Sequence, residues 1–140
     1  MSRAVICILT NQDSKVLFVK RSIHKKFLPG LWALPAGMVR EGEKPAQAVK
    51  REFMEEFGIK VNEPKFLEKI IEEEKGRGRL EKYIYLVKPE SSLKNICFDL
   101  VEADGAIFLT FEEFYSRFKD KEIGNILRYL REKYQGFGLR

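Results

Sequence analysis

At 140 residues, 44% apolar and 34% charged, the chain has the make-up of one globular domain and not of a disordered polymer. No apolar run approaches a membrane span and none has the form of a secretory leader, so the expected setting is the cytoplasm, with no membrane partner. A net charge of +5 favours phosphate-bearing partners, a nucleotide or RNA.

In chain order, Ser2 to Thr10 is apolar and β-branched and reads as a strand, with Cys7 in its core pattern. Asn11 to Ser14 is a turn cluster, and Lys15 to Arg21 is a second strand. The two are expected to pair as a hairpin. A basic loop from Ser22 to Gly30 holds the only histidine, His24, read as solvated, and the lysines Lys25 and Lys26. Trp32 reads first as a core anchor, with stacking on a base as the alternative.

Pro45 to Phe57 reads as an amphipathic helix, with Pro45 at its first position and Gly58 just past its end. Lys44 is a poor N-cap. Ala46, Val49, Phe53 and Phe57 fall on one arc, the expected core stripe. Glu52, Glu55 and Glu56 flank that stripe, and Gln47, Lys50 and Met54 take the far side. Three carboxylates on about one turn repel one another. Either they form a solvated acidic face, with Arg51 offsetting part of the repulsion, or they receive a hard divalent cation such as Mg²⁺.

After the helix, Val61 to Glu73 contains a strand interrupted early by Pro64, and Arg79 to Lys88 forms another. Tyr83 and Tyr85 share one face of that strand, with Ile84 and Leu86 on the other. Pro89 to Asp99 reads as a loop, and Ala106 to Leu109 as a short strand. Thr110 and Glu113 form a capping-box signature that starts a helix over Phe111 to Phe118. Asp120 is expected to cap a last helix running to about Tyr134, with Gly124 inside it and Ile123, Leu127 and Leu130 facing inward. There is no repeat or linker, so residues 1–140 read as a single domain. Strands around a central helix, with helices at the end, give an α/β class.

The residues before the helix decide between the two readings of its glutamates. Gly37 and Glu43 complete the pattern G-x5-E-x7-R-E-U-x-E-E-x-G-U, where U is a bulky apolar residue, here Phe53 and Ile59. A chance match is on the order of one in a billion per register. This is an intact Nudix box, and the chain resembles the Nudix hydrolases, which cleave nucleoside diphosphates linked to another group. The resemblance implies an α/β/α sandwich with a mixed sheet.

It also implies an enzyme that hydrolyses a phosphoanhydride with Mg²⁺ or Mn²⁺. Gly37 (through its carbonyl), Glu52, Glu55 and Glu56 would be the metal ligands. Arg51 would hold a box glutamate in place, and Glu43 would brace the loop around the helix. Arg21 stands where the family often has an arginine facing the phosphates; a solvated strand end is the alternative. A base outside the box would be Glu102, with Asp99 or Asp104 in its place. The leading substrates are ADP-ribose or a nucleoside triphosphate, normal or oxidised. RNA carrying a 5′-triphosphate, or a non-catalytic nucleotide-sensing role, are the alternatives. Homodimers are frequent in the family.

Overall fold

The computed structural model describes residues 2–24, 29–76, 78–90 and 103–133. Lys25, Lys26, Cys97, Asp99, Glu102 and Tyr134 lie outside the described residues, and of Asp104 only the backbone is described. The chain forms two compact units. One comprises Met1–Leu9 with Pro35–Cys97, the other Thr10–Leu34 with Phe98–Arg140.

The first unit is a four-stranded mixed sheet carrying one helix. Its strands are β1 (Ser2–Leu9), β4 (Ala36–Met38), β5 (Lys65–Glu74) and β6 (Gly78–Val87), in the order β4-β1-β6-β5. β1 runs parallel to β6 and antiparallel to β4, while β5 and β6 form an antiparallel hairpin. Ala4 to Leu9 are all buried, on both faces of the strand, as a central strand requires. The helix α1 (Pro45–Phe57) has the predicted bounds. Gly58 ends it at φ 68°, a left-handed conformation that glycine adopts without penalty. The weak cap at Lys44 is helped by Gln47, whose side chain accepts from the Lys44 N–H at 2.9 Å.

Val49, Phe53 and Phe57 are buried as predicted, but Ala46 is only half-buried, and Ala48 takes the fully enclosed place. Ala48 lies one turn before Arg51 and Glu52, so the buried arc extends beneath the polar cluster. Tyr83 and Tyr85 share a face, and Phe66 on the neighbouring strand packs against both rings. β5 starts directly after Pro64, the break that proline imposes.

The second unit is a three-stranded antiparallel sheet with helices. β2 (Val16–Arg21) lies between β3 (Trp32–Ala33) and β7 (Ala103–Leu109). The predicted hairpin of the first two strands is therefore not formed. β1 has β4 and β6 on its two edges, and β2 has β3 and β7, so neither has a free edge for the other. A single bridge, Thr10 to Val16, closes the turn between them. There the Asn11 side chain accepts from the N–H groups of Asp13 and Lys15, both at 2.9 Å.

β7 begins three residues before the predicted Ala106. Thr110 caps α2 (Phe111–Arg117) reciprocally with Glu113, at 3.0 and 2.9 Å. The last predicted helix is shorter and broken. A 3₁₀ turn, Asp120–Glu122, precedes α3 (Asn125–Lys133), and Gly124 stands before the helix, not inside it. The Gly124 N–H is used elsewhere, donating to the Trp32 carbonyl at 2.9 Å. Ile123, Leu127 and Leu130 face inward as predicted, and Phe18 stacks on Phe114 with ring centroids 3.8 Å apart. No helix among the described residues is long and apolar enough to cross a membrane.

Candidate active site

The box folds around one arginine. Arg51 follows two turns of helix and extends back toward the loop that precedes it. Its Nε and Nη2 donate to the two oxygens of Glu43 at 2.8 and 3.0 Å, a forked pair. Nη1 donates to Glu52 at 2.9 Å and to Glu55 at 2.8 Å. Nη2 also reaches the Met38 carbonyl at 2.9 Å. One guanidinium thus joins a strand end, a loop and two turns of α1. The Arg51 and Glu43 side chains are only 16% and 15% exposed.

The loop between β4 and α1 is tied from several directions. The Val39 N–H donates to the Arg3 carbonyl at 2.9 Å, and Arg3 Nη2 donates to the Glu43 carbonyl at 3.1 Å. Glu43 accepts from the Arg40 N–H at 3.0 Å and returns its own N–H to the Arg40 carbonyl at 3.0 Å. Hydrogen bonds from Arg51 hold the Glu43 carboxyl down to about 2, against an ordinary 4.5. The Glu55 carboxyl is also held below its usual range, by Arg51 first and then by Arg40. Arg51 is itself pushed further up by Glu43, so it carries its charge throughout.

Gly37 and Glu52 make the closest approach in the site. A Cβ on Gly37 would lie 2.2 Å from Glu52 Cδ, so only glycine admits this carboxylate where it stands. Gly37 pairs with Val5, which places α1 over the β1 face that carries Val5 and Cys7. Cys7 is buried beneath it; burial, and next the charge of Glu52, push its thiol well above the ordinary range.

The donor set of this region is a backbone carbonyl and hard carboxylate oxygens, the chemistry that Mg²⁺ and Mn²⁺ take. The absence of a side chain at Gly37 lets the Glu52 carboxylate lie against the backbone there. As the side chains stand, no three His, Cys, Asp or Glu groups among the described residues converge tightly enough to hold an ion. Glu52 and Glu55 turn toward Arg51 instead, and a bound cation would draw on carboxylates already oriented by it.

The structure thus brings Gly37, Glu43, Arg51, Glu52 and Glu55 together, with Glu56 half-buried on the same helix. Arg21 and Trp32 belong to the other unit. Arg21 ends β2, its backbone bonded to Leu31 and Gly30 at 2.9 and 3.1 Å. Trp32 is half-buried against Phe118, with ring centroids 5.0 Å apart, so it packs without being sealed in a core. His24 is exposed. The sequence reading missed Arg40, whose guanidinium donates to both oxygens of Glu55 at 3.1 and 3.4 Å. Its position inside the box, at a variable place between Gly37 and Glu43, was the available signal.

Comparison with known proteins identifies the family and the fold. The family model described as NUDIX domain matches residues 1–130. A relative named nucleoside triphosphatase NudI, from Escherichia fergusonii, is 31% identical over 112 residues, 80% of this chain and 77% of its own. A protein of the same name from Escherichia coli O139:H28 is 38% identical over 56 residues, 40% of each chain. Among solved structures, the MutT protein of Methanosarcina mazei Go1 superposes with a TM-score of 0.78 at 18% identity, covering 99% of this chain and 96% of that one. A NUDIX hydrolase from Nitrosomonas europaea gives 0.75 at 19%, covering 97% and 89%. Both support the fold alone. With an intact box built around Arg51 and a family match over nearly its whole length, the chain belongs to the NUDIX domain family, as a pyrophosphohydrolase.

Proposed function

We propose that this enzyme hydrolyses a phosphoanhydride bond of a nucleoside triphosphate, with Mg²⁺ or Mn²⁺ held by the Gly37 carbonyl and by Glu52, Glu55 and Glu56. The observation that carries this reading is the Arg51 fork, which orients Glu52 and Glu55 from one buried point while Gly37 leaves room for Glu52. The triphosphate is favoured over ADP-ribose because the 31% identical relative is named a nucleoside triphosphatase.

Hydrolysis of such a bond needs charge neutralisation, an activated water and an in-line approach. A divalent ion supplies the first two, by Lewis acidity and by lowering the pKa of water. The chain's own part is orientation. Glu43 fixes Arg51, Arg51 fixes Glu52 and Glu55, and the helix carries Glu56 one turn beyond Glu52. Glu55, kept ionised by two arginines, is available as a ligand or as an acceptor for the proton of water.

The test is product release from nucleoside triphosphates, ADP-ribose and 5′-triphosphate RNA, each with Mg²⁺, with chelator and with Glu56→Gln. The expected result is metal-dependent release of pyrophosphate from a triphosphate, reduced about 10²- to 10³-fold in the variant, the scale of losing one electrostatic stabiliser. Cleavage of RNA or ADP-ribose alone would overturn the substrate assignment. Tight nucleotide binding with no turnover of anything would make the domain a sensor.

A further inference from the structure

The two arginines on Glu55 differ in what they have left to offer. Arg51 spends Nε, Nη1 and Nη2 on five protein acceptors and is 16% exposed. It is closed to any ligand. Arg40 touches Glu55 through Nη2 alone, and its side chain is 62% exposed. A guanidinium presents five N–H donors, so the Nε and Nη1 donors of Arg40 are each uncommitted among the described residues.

The backbone beneath Arg40 is held on both sides. Its N–H and carbonyl are both bonded to Glu43, and the preceding Val39 is bonded to β1. Arg40 is therefore a cation on an anchored stem, beside the carboxylates that would meet the metal, with Nη2 occupied and Nε and Nη1 free. A phosphate oxygen can accept from either free nitrogen as the Glu55 oxygens accept from Nη2. The charge is in place before a ligand arrives, which spares part of the ordering cost of binding.

The geometry points to Arg40 as a polyphosphate-binding residue, bridging Glu55 and a phosphate of the substrate. This rests on the function proposed above for the site. It assigns the residue a direct contact with substrate, which its place among the variable positions of the box does not announce. Glu55 has a second role in this arrangement, holding Arg40 at the site while a phosphate oxygen accepts from Nε or Nη1.

Arg40→Ala and Arg40→Lys test the inference, through binding of inorganic tripolyphosphate in Mg²⁺ by calorimetry and through the kinetics of triphosphate hydrolysis. For Arg40→Ala, the dissociation constant and KM rise about tenfold or more, with kcat within about threefold, and Arg40→Lys recovers part of the loss. Thermal midpoints of the two variants match the wild type to within a few degrees, since an exposed ion pair contributes little stability. Equal tripolyphosphate binding by wild type and Arg40→Ala, absence of binding by wild type, or a fall in kcat with KM unchanged would overturn the assignment. Arg40-dependent binding by a wild type that hydrolyses no triphosphate would instead overturn the substrate reading and leave this contact standing.

Discussion

The two units solve the problem of holding polar groups in opposite ways. In the first, the bonds are long in sequence. Arg51 reaches Glu43 eight residues away and Met38 thirteen away, and Arg3 reaches Glu43 across forty. In the second, caps such as Thr110 with Glu113 are local, the longer reaches, Tyr115 to the Leu127 carbonyl and Arg131 to Asp120, tie its terminal helices, and aromatic packing supplies the interior, with Phe18 stacked on Phe114. Long-range polar bonds fix the relative position of separate elements, which a reactive site requires. Local caps only start and stop helices. The difference lies in what the long bonds hold, carboxylates around one arginine in the first unit and helices in the second.

The comparison breaks most visibly at Phe114. Phe114→Ala removes a fully buried ring and is expected to destabilise the protein by about 3–5 kcal/mol, read from the denaturant midpoint. Its box hydrogen bonds are untouched by design, so any metal-dependent activity left in the folded fraction should keep its KM.

Arg51→Ala attacks the other unit. It leaves Glu43 without its forked partner, a loss of about 2–3 kcal/mol for charged hydrogen bonds at this burial. The effect depends on pH with a defined sign. The Glu43 carboxyl is depressed from 4.5 to about 2, so its stabilisation is fully present above pH 4.5 and is lost as pH falls toward 2. Denaturation at pH 7 and pH 3 should show wild type and variant far apart at the first and closer at the second. A gap that widened in acid would refute the Arg51–Glu43 link.

Gly37→Ala is a sharper cut. Its methyl would strike the flexible end of Glu52 and not the backbone, so the carboxylate moves while the fold stays. We expect less than about 1 kcal/mol in stability and a 10- to 100-fold fall in metal affinity or kcat/KM, the scale seen when ligand orientation is lost. Manganese titration followed by electron paramagnetic resonance separates affinity from turnover. Smallest is Thr110→Ala, which removes a helix cap at about 1 kcal/mol and should leave kinetic constants unchanged at temperatures where the protein is folded.

Much of this was legible in the residues, and the reasons for the rest are physical. α1 could be bounded to the residue because Pro45 and Gly58 act through local backbone geometry. The Thr110 cap was readable for the same cause, an interaction spanning three residues. The partnering of β1 was not readable. A strand's neighbours are chosen by distant segments, and a turn cluster after Leu9 reads the same whether the chain returns to its own sheet or crosses to another. Gly124 was misplaced because a glycine before a helix and one inside it differ only in where its N–H goes, here to Trp32. In the site, the box offered a set of candidate residues but not how Arg51 divides its donors. Arg40 escaped because its pairing with Glu55 joins a loop to a helix fifteen residues away, which spacing alone does not show.

The edge strand β5 carries one more consequence. Among the described residues it has only β6 as a neighbouring strand, and it displays Phe66 and Ile71 at about half exposure. Such a strand is a template for sticking to other chains. Lys65, Glu68, Lys69, Glu72 and Glu73 are set through it, and its register slips between Phe66 and Glu68. These charges and that irregularity act as gatekeepers. They set charge beside Phe66 and Ile71, which disfavours edge-to-edge pairing with another copy of the chain.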